Sequence, residues 1–142
     1  MTTHISTPTI TYETAARAIA LAIEEGAKVG VRVSATVVDP GLGLVAYGRA
    51  DGITPHSVET SRRKANTGAS TRRPSALVPK ELAVAIEHGT GGLLTSVAGG
   101  VPLGFGGVHT GGLGVAGGKP QQDAEIATAV LEALGADPVP IA

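Results

Sequence analysis

The chain has 142 residues, 42% of them hydrophobic and 16% charged, and a formal net charge of −1. That balance fits one folded domain with a modest core; it excludes a disordered chain and gives no electrostatic ground for binding nucleic acid or an anionic membrane. Cysteine is absent, which excludes disulfides, iron–sulfur clusters, thiolate zinc sites and cysteine nucleophiles.

Glycine is abundant, with 21 residues, whereas the aromatics are only Tyr12, Tyr47 and Phe105. The core must therefore be built from Ala, Val, Ile and Leu, with glycines letting backbones approach closely. A core of that kind buries little area per residue, so the chain gains from burying surface against copies of itself. The opening MTTHISTPTI has neither the basic nor the apolar region of a secretory signal. No apolar run approaches the roughly 20 residues that cross a bilayer. The expected location is the cytoplasm, with no membrane partner.

Residues 1–9 read as a loose polar tail. From Thr11, an N-cap candidate, Tyr12, Ala16, Ile19, Ala20, Ile23 and Ala27 recur at helical spacing, and Gly26 or Gly30 can stop the helix. Val31 to Asp39 is rich in β-branched residues and predicts a strand; Pro40 to Gly43 is a turn, and Leu44 to Asp51 the returning strand of a hairpin. Thr54-Pro55 predicts the start of a second helix running to about Ser70. A short helix from Lys80 to His88, closed by Gly89, follows a proline-containing connection.

Thirteen of the glycines fall between Gly89 and Gly118. Interleaved Leu, Val and Phe make this an ordered sheet rather than a linker. LLTSVAGG, VPLGFGGVH and TGGLGVAGG read as three strands, and Pro120 opens a last helix with Ala124, Ala127, Leu131 and Leu134 on one face. The predicted order is α-β-β-α-α-β-β-β-α. The fold class is α+β, a central antiparallel sheet of about five strands with helices packed on it. It occupies residues 10–136 as a single domain, and 137–142 form a C-terminal tail.

Two glycine patterns imitate a dinucleotide fingerprint. Gly41 to Ala46 leads into a strand instead of a helix, and Gly112 to Gly117 has no βαβ unit around it, so neither predicts a nucleotide site. Arg62, Arg63, Lys64, Arg72 and Arg73 cluster, but near-neutral charge and scarce aromatics make nucleic acid a poor partner. Ser57, Thr60, Ser61, Lys64, Thr67 and Gly68 share one helix face, all small except Lys64. A lysine there meets either an anionic ligand or a carboxylate, Asp39 or Asp51. Arg49-Ala50-Asp51-Gly52 closes the second strand, where polar residues converge on pockets. Asp51 is an acid/base candidate or a turn cap. His56 lies in the first turn of the lysine helix, and His109 at a turn between glycine-rich strands. No histidine pair has metal-site spacing, so no metal is expected; one histidine suffices for an axial haem ligand. Asp123 and Glu125 sit where negative charge opposes a helix dipole.

Several blocks together resemble the GlcG/HbpS family. They are VVDPGLGLVAYGRADG (37–52), KANT (64–67), GGVPL (99–103) and GGLGVAGGKPQQDAEIA (111–127). The resemblance implies an α/β fold with a central antiparallel sheet, assembly into homodimers and often octamers, and likeness to haem-binding sensors and to the haem-binding domain of PduO-type corrinoid adenosyltransferases. It also implies a pocket near Arg49, Asp51, Lys64 and Thr67. Ala116 stands where the family commonly has serine, and Ala50 where it often has methionine.

Two functional readings stay open. In one, a homo-oligomer binds haem or another tetrapyrrole, with His56 or His109 as axial ligand and Lys64 or Arg49 pairing a propionate. In the other, a cofactor-independent enzyme of lyase or isomerase type handles a small organic acid or hydroxy/carbonyl metabolite. There Lys64 or Arg49 holds the carboxylate, and Asp51 and His56 serve as acid/base groups.

Overall fold

A computed structural model describes residues 1–140. Helix α1 (Tyr12–Lys28) leads to strands β1 (Ser34–Val38) and β2 (Leu44–Arg49), and helix α2 (Ser57–Thr71) follows. Two short 3₁₀ turns and helix α3 (Ala83–Gly89) connect to strands β3 (Gly100–Phe105) and β4 (Val108–Ala116), and helix α4 (Pro120–Leu134) ends the domain. The fold is α+β. Its single sheet has four strands in the order β2-β1-β4-β3, and every neighbouring pair is antiparallel.

Local chemistry sets most element ends. The Thr11 hydroxyl accepts from the Thr14 N–H at 3.2 Å and caps α1, which runs through Gly26 and stops before Gly30 at φ 72°. In the hairpin turn, Asp39 accepts from the N–H groups of Gly41 and Gly43, both at 2.9 Å. Pro120 opens α4, and Gly135 at φ 69° closes it.

The sheet is covered on both faces. Helices α1 and α4 lie together on one, where Ala35, Val37, Leu113 and Val115 meet Ala18, Ile19, Ile126 and Val130 in the main core. Helix α2 lies on the other, across β1, β4 and β3. It can sit that close because the strands beneath it carry glycine: a Cβ at Gly114 would overlap the Ser61 carbonyl, and one at Gly100 the Lys64 carbonyl.

Two expectations need correction. The sheet has four strands rather than about five, because residues 93–98 of LLTSVAGG form no strand. Side chains satisfy the backbone there instead. Asn66 Nδ2 donates to the Leu93 carbonyl at 3.1 Å, the Thr95 N–H donates to Thr67 Oγ1 at 2.9 Å, and Ser75 Oγ donates to the Val97 carbonyl at 2.7 Å. Helix α2 begins at Ser57, not at Thr54-Pro55, since the Ser57 N–H first closes a turn on the Thr54 carbonyl at 3.1 Å.

The segment after α4 docks on the sheet. The Asp137 N–H donates to the Gly104 carbonyl at 2.8 Å, and its carboxylate accepts from the N–H groups of Gly106 and Gly107 at 3.0 and 2.7 Å. Val139 packs on the main core. The tail expected from residue 137 is thus tied to the β3–β4 turn at its first residue; residues 141 and 142 lie outside the described residues.

Candidate functional site

The side chains singled out from sequence fall into three places along α2. Arg49, Asp51 and His56 share the connection at its N-terminal end, all exposed, and their side chains form no hydrogen bond or ion pair among the described residues. Lys64 and Thr67 lie on its middle turns, fully buried. His109 sits at its C-terminal end, with a ring nitrogen 2.9 Å from the Ala69 carbonyl. A helix of this length spans roughly 20 Å, so His56 and His109 in one protomer serve different places.

Lys64 occupies a site of its own kind. Its Nζ donates to Asp123 Oδ2 and to the Val115 carbonyl, both at 2.9 Å, and both charged side chains are 2% exposed. Burial pushes the amine below the usual lysine range, and Asp123 offsets part of that. The carboxylate partner is therefore Asp123, not Asp39 or Asp51. Asp123 also accepts from the Gly118 N–H at 2.9 Å, so it does more than oppose the α4 dipole. Thr67 likewise has structural partners, donating to the Arg63 carbonyl at 2.8 Å and accepting from Thr95. Nearby, Ser61 shares hydrogen bonds with Thr36 at 2.8 Å and Ser34 at 3.3 Å, and Ser34 Oγ donates to the Tyr47 hydroxyl at 3.0 Å.

Two clefts border β3, and Val139 and Pro140 line both. One, about 360 Å³, has walls of Pro74, Ala98, Gly99, Val101 and Ala124 and is largely apolar. Its floor at Gly99 lies directly over the Lys64 amine, where a Cβ would stand 2.9 Å from Nζ. The other, about 270 Å³, is lined by His109, Arg72, Pro102, Gly104 and Asp137. Both fall near the lower end of the roughly 300–1,000 Å³ range of ligand pockets.

His109 is the sequence-predicted site residue that lines these clefts. A carbonyl can only accept, so Nε2 carries the proton toward Ala69 and Nδ1 keeps its lone pair. Burial holds the ring below the usual histidine range, and the nearby Arg72 charge lowers it further. Arg72 adopts the left-handed conformation (φ 57°) as C-cap of α2, and its guanidinium has no carboxylate partner among the described residues. Sequence reading grouped Arg72 with a basic run and gave it no role of its own; its place two residues past Ser70, where the helix should end, was the available signal. Asp123 was missed as the lysine partner because 59 residues separate them.

Among the described residues, no group of three or more His, Asp or Glu side chains is arranged to hold a metal ion, and no helix is long and apolar enough to cross a membrane. An imidazole with a free nitrogen beside an uncommitted cation is a donor set that suits a ligand carrying both a coordinating centre and an anionic group.

The architecture defines a small α+β protein built on one antiparallel sheet with helices on both faces. The model of the HbpS-like family, described as haem-degrading, matches residues 10–132, and the chain belongs to that family. Among solved structures it is similar to a double mutant of Streptomyces reticuli HbpS at 32% identity, over 93% of this chain and 91% of that one, with a TM-score of 0.83. A further HbpS structure matches at 33% identity over 94% and 95% of the two chains, TM-score 0.84. A PduOC:heme complex shares the fold at 21% identity, over 93% and 99%, TM-score 0.84. No curated protein matches the chain.

Proposed function

We propose that this chain is a self-associating protein that binds haem or a closely related tetrapyrrole in the clefts along β3. His109 Nδ1 would supply a ligand to the haem iron, and Arg72 would pair a carboxylate of the bound group. Membership of the HbpS-like family supports the ligand class, and the PduOC:heme complex supports the fold's capacity to take it. The observation that carries the location is the His109 ring, held uncharged with its second nitrogen free in a cleft beside Arg72. When bound, haem supplies an iron centre whose reactivity follows its axial ligand and surroundings.

The protein's own groups do the rest. The Ala69 carbonyl fixes the His109 tautomer, and Arg72 offers a planar fork that suits a carboxylate. Pro102, Gly104 and Gly107 give a wall with few protruding side chains, against which a flat ligand can lie. Arg49 with His56 is the weaker alternative for these roles, since both stand in solvent at the other end of α2 and line neither cleft.

Self-association is supported by the aromatic-poor core and by large apolar side chains, Tyr12 and Leu44 among them, left in solvent. Titration with hemin, followed at the Soret band, tests the ligand class. A saturable shift at stoichiometric hemin is expected, and no shift at that ratio sinks the reading. A cofactor-independent lyase or isomerase working through Asp51, His56 and Lys64 has less support, because the Lys64 amine is sealed against Asp123 and Val115.

A further inference from the structure

The two edges of the sheet are treated differently. At β3, Pro102 supplies no N–H, the register slips between Leu103 and Gly104, and Asp137 bonds the Gly104 carbonyl. Each of these discourages another strand from adding there. At β2 neither a proline nor a docked side chain blocks the outer side, and the strand's own register slip falls at its hairpin end, where Val45 is the extra residue. The strand LVAYGR contains no proline, its single charge is at its end, and no described segment pairs with its outer side. The Ala50 N–H donates inward to the Val33 carbonyl at 2.8 Å, and Ser34 pairs with Arg49. By the alternation of an antiparallel ladder, Tyr47 and Arg49 therefore turn their N–H and C=O groups outward. Leu44, 63% exposed, and Tyr12, 70% exposed, stand beside this open edge.

We infer that β2 is an interaction surface for a second copy of this chain, pairing antiparallel with that copy's β2 across a two-fold axis and joining the two sheets into one. This names the surface for the self-association proposed above and rests on that part of the reading. A strand centred on Tyr47 is self-complementary: Tyr47 faces its own counterpart, both outward N–H groups find carbonyls, and no like charges meet at the centre. The ends complement each other as well. Arg49 has no ion-pair partner among the described residues, and antiparallel pairing carries it toward the second copy's Asp39 turn. There Asp39 uses Oδ1 for Gly41 and Gly43, while Oδ2 accepts no hydrogen bond among the described residues. The pairing also lays each copy's Arg49–Asp51 connection against the other's hairpin turn, closing a polar end that one copy leaves in solvent.

The test is the solution mass without hemin, by light scattering across a dilution series, together with amide hydrogen exchange. The wild type is expected at a multiple of its 14.0 kDa chain mass. Leu44→Lys sets a cation beside Val45, the residue that faces the other copy's Arg49, and should fall to half the wild-type mass or less, with an unchanged circular dichroism spectrum. Tyr47→Pro, which removes an outward N–H, should do the same. The Tyr47 and Arg49 amides should be protected in the wild type and exchange freely in Leu44→Lys. Leu44→Lys folds even if the proline variant does not, because Leu44 packs little within the chain. A single-chain wild type, or Leu44→Lys at wild-type mass, overturns the inference. Protection that vanishes only when residues 1–9 are deleted overturns it too, by showing that the N-terminal segment takes the edge. Hemin plays no part in these readings, so a failed titration and a failed mass shift are separate results.

Discussion

Lys64 and Asp123 are each too costly to bury alone, and together they are held by further hydrogen bonds, from the lysine amine to the Val115 carbonyl and from the Gly118 N–H to the carboxylate. Breaking the pair from one side leaves an uncompensated charge in the interior. Asp123→Ala should therefore destabilise the fold by about 3–5 kcal/mol, measured by urea denaturation. The double variant Lys64→Met, Asp123→Leu should cost less than Asp123→Ala alone; a larger loss would mean that the pair does more than satisfy itself. His109 makes a second prediction at this scale. Its folded pKa lies below 6.5, so the unfolded chain takes up the proton first as pH falls. Its contribution is present above pH 6.5 and is lost as pH drops through the folded value. Hemin affinity through Nδ1 should follow the same course, weakening as the pH falls through the folded value. Equilibrium titrations across that range check this, and affinity that climbs on acidification would contradict it.

At the level of elements, the close seat of α2 on the sheet depends on glycines. Gly114→Ala drives a methyl group into the Ser61 carbonyl and should cost about 1–3 kcal/mol or more. Gly89→Ala, at the end of α3 with open space around it, should be neutral or stabilise by up to about 1 kcal/mol. Thermal melts of the two variants compare them directly. Helix α1, the Asp39 hairpin and α4 were legible because their apolar spacing, turn chemistry and caps are local signals. The extra strand in LLTSVAGG was misread for a nonlocal reason: its alternation looks strand-like, but Asn66, Thr67 and Ser75 bind its backbone from elements distant in sequence. The candidate site was legible in pieces. His109 and the basic residues were visible, but the ladder and α2 decide that His109 joins Arg72 while Lys64 turns inward to Asp123. Arg49, Asp51 and His56 are close in sequence and share one connection, yet among the described residues no hydrogen bond or ion pair joins their side chains.

For the molecule as a whole, family membership accounts for the fold, and the two sheet edges differ. The β3 side, strapped by Asp137 to Pro140, carries the clefts; β2 is the unpaired edge, the surface proposed above for a second copy. A protein arranged in this way can lose assembly without losing its ligand, so Leu44→Lys should bind hemin with wild-type stoichiometry per chain. The most direct test of the His109 site is a hemin titration of the wild type beside His109→Ala and His56→Ala, read at the Soret band. A saturable Soret shift is predicted for the wild type and for His56→Ala, with its position altered or the shift lost in His109→Ala. An unchanged spectrum and affinity in His109→Ala would contradict the assignment.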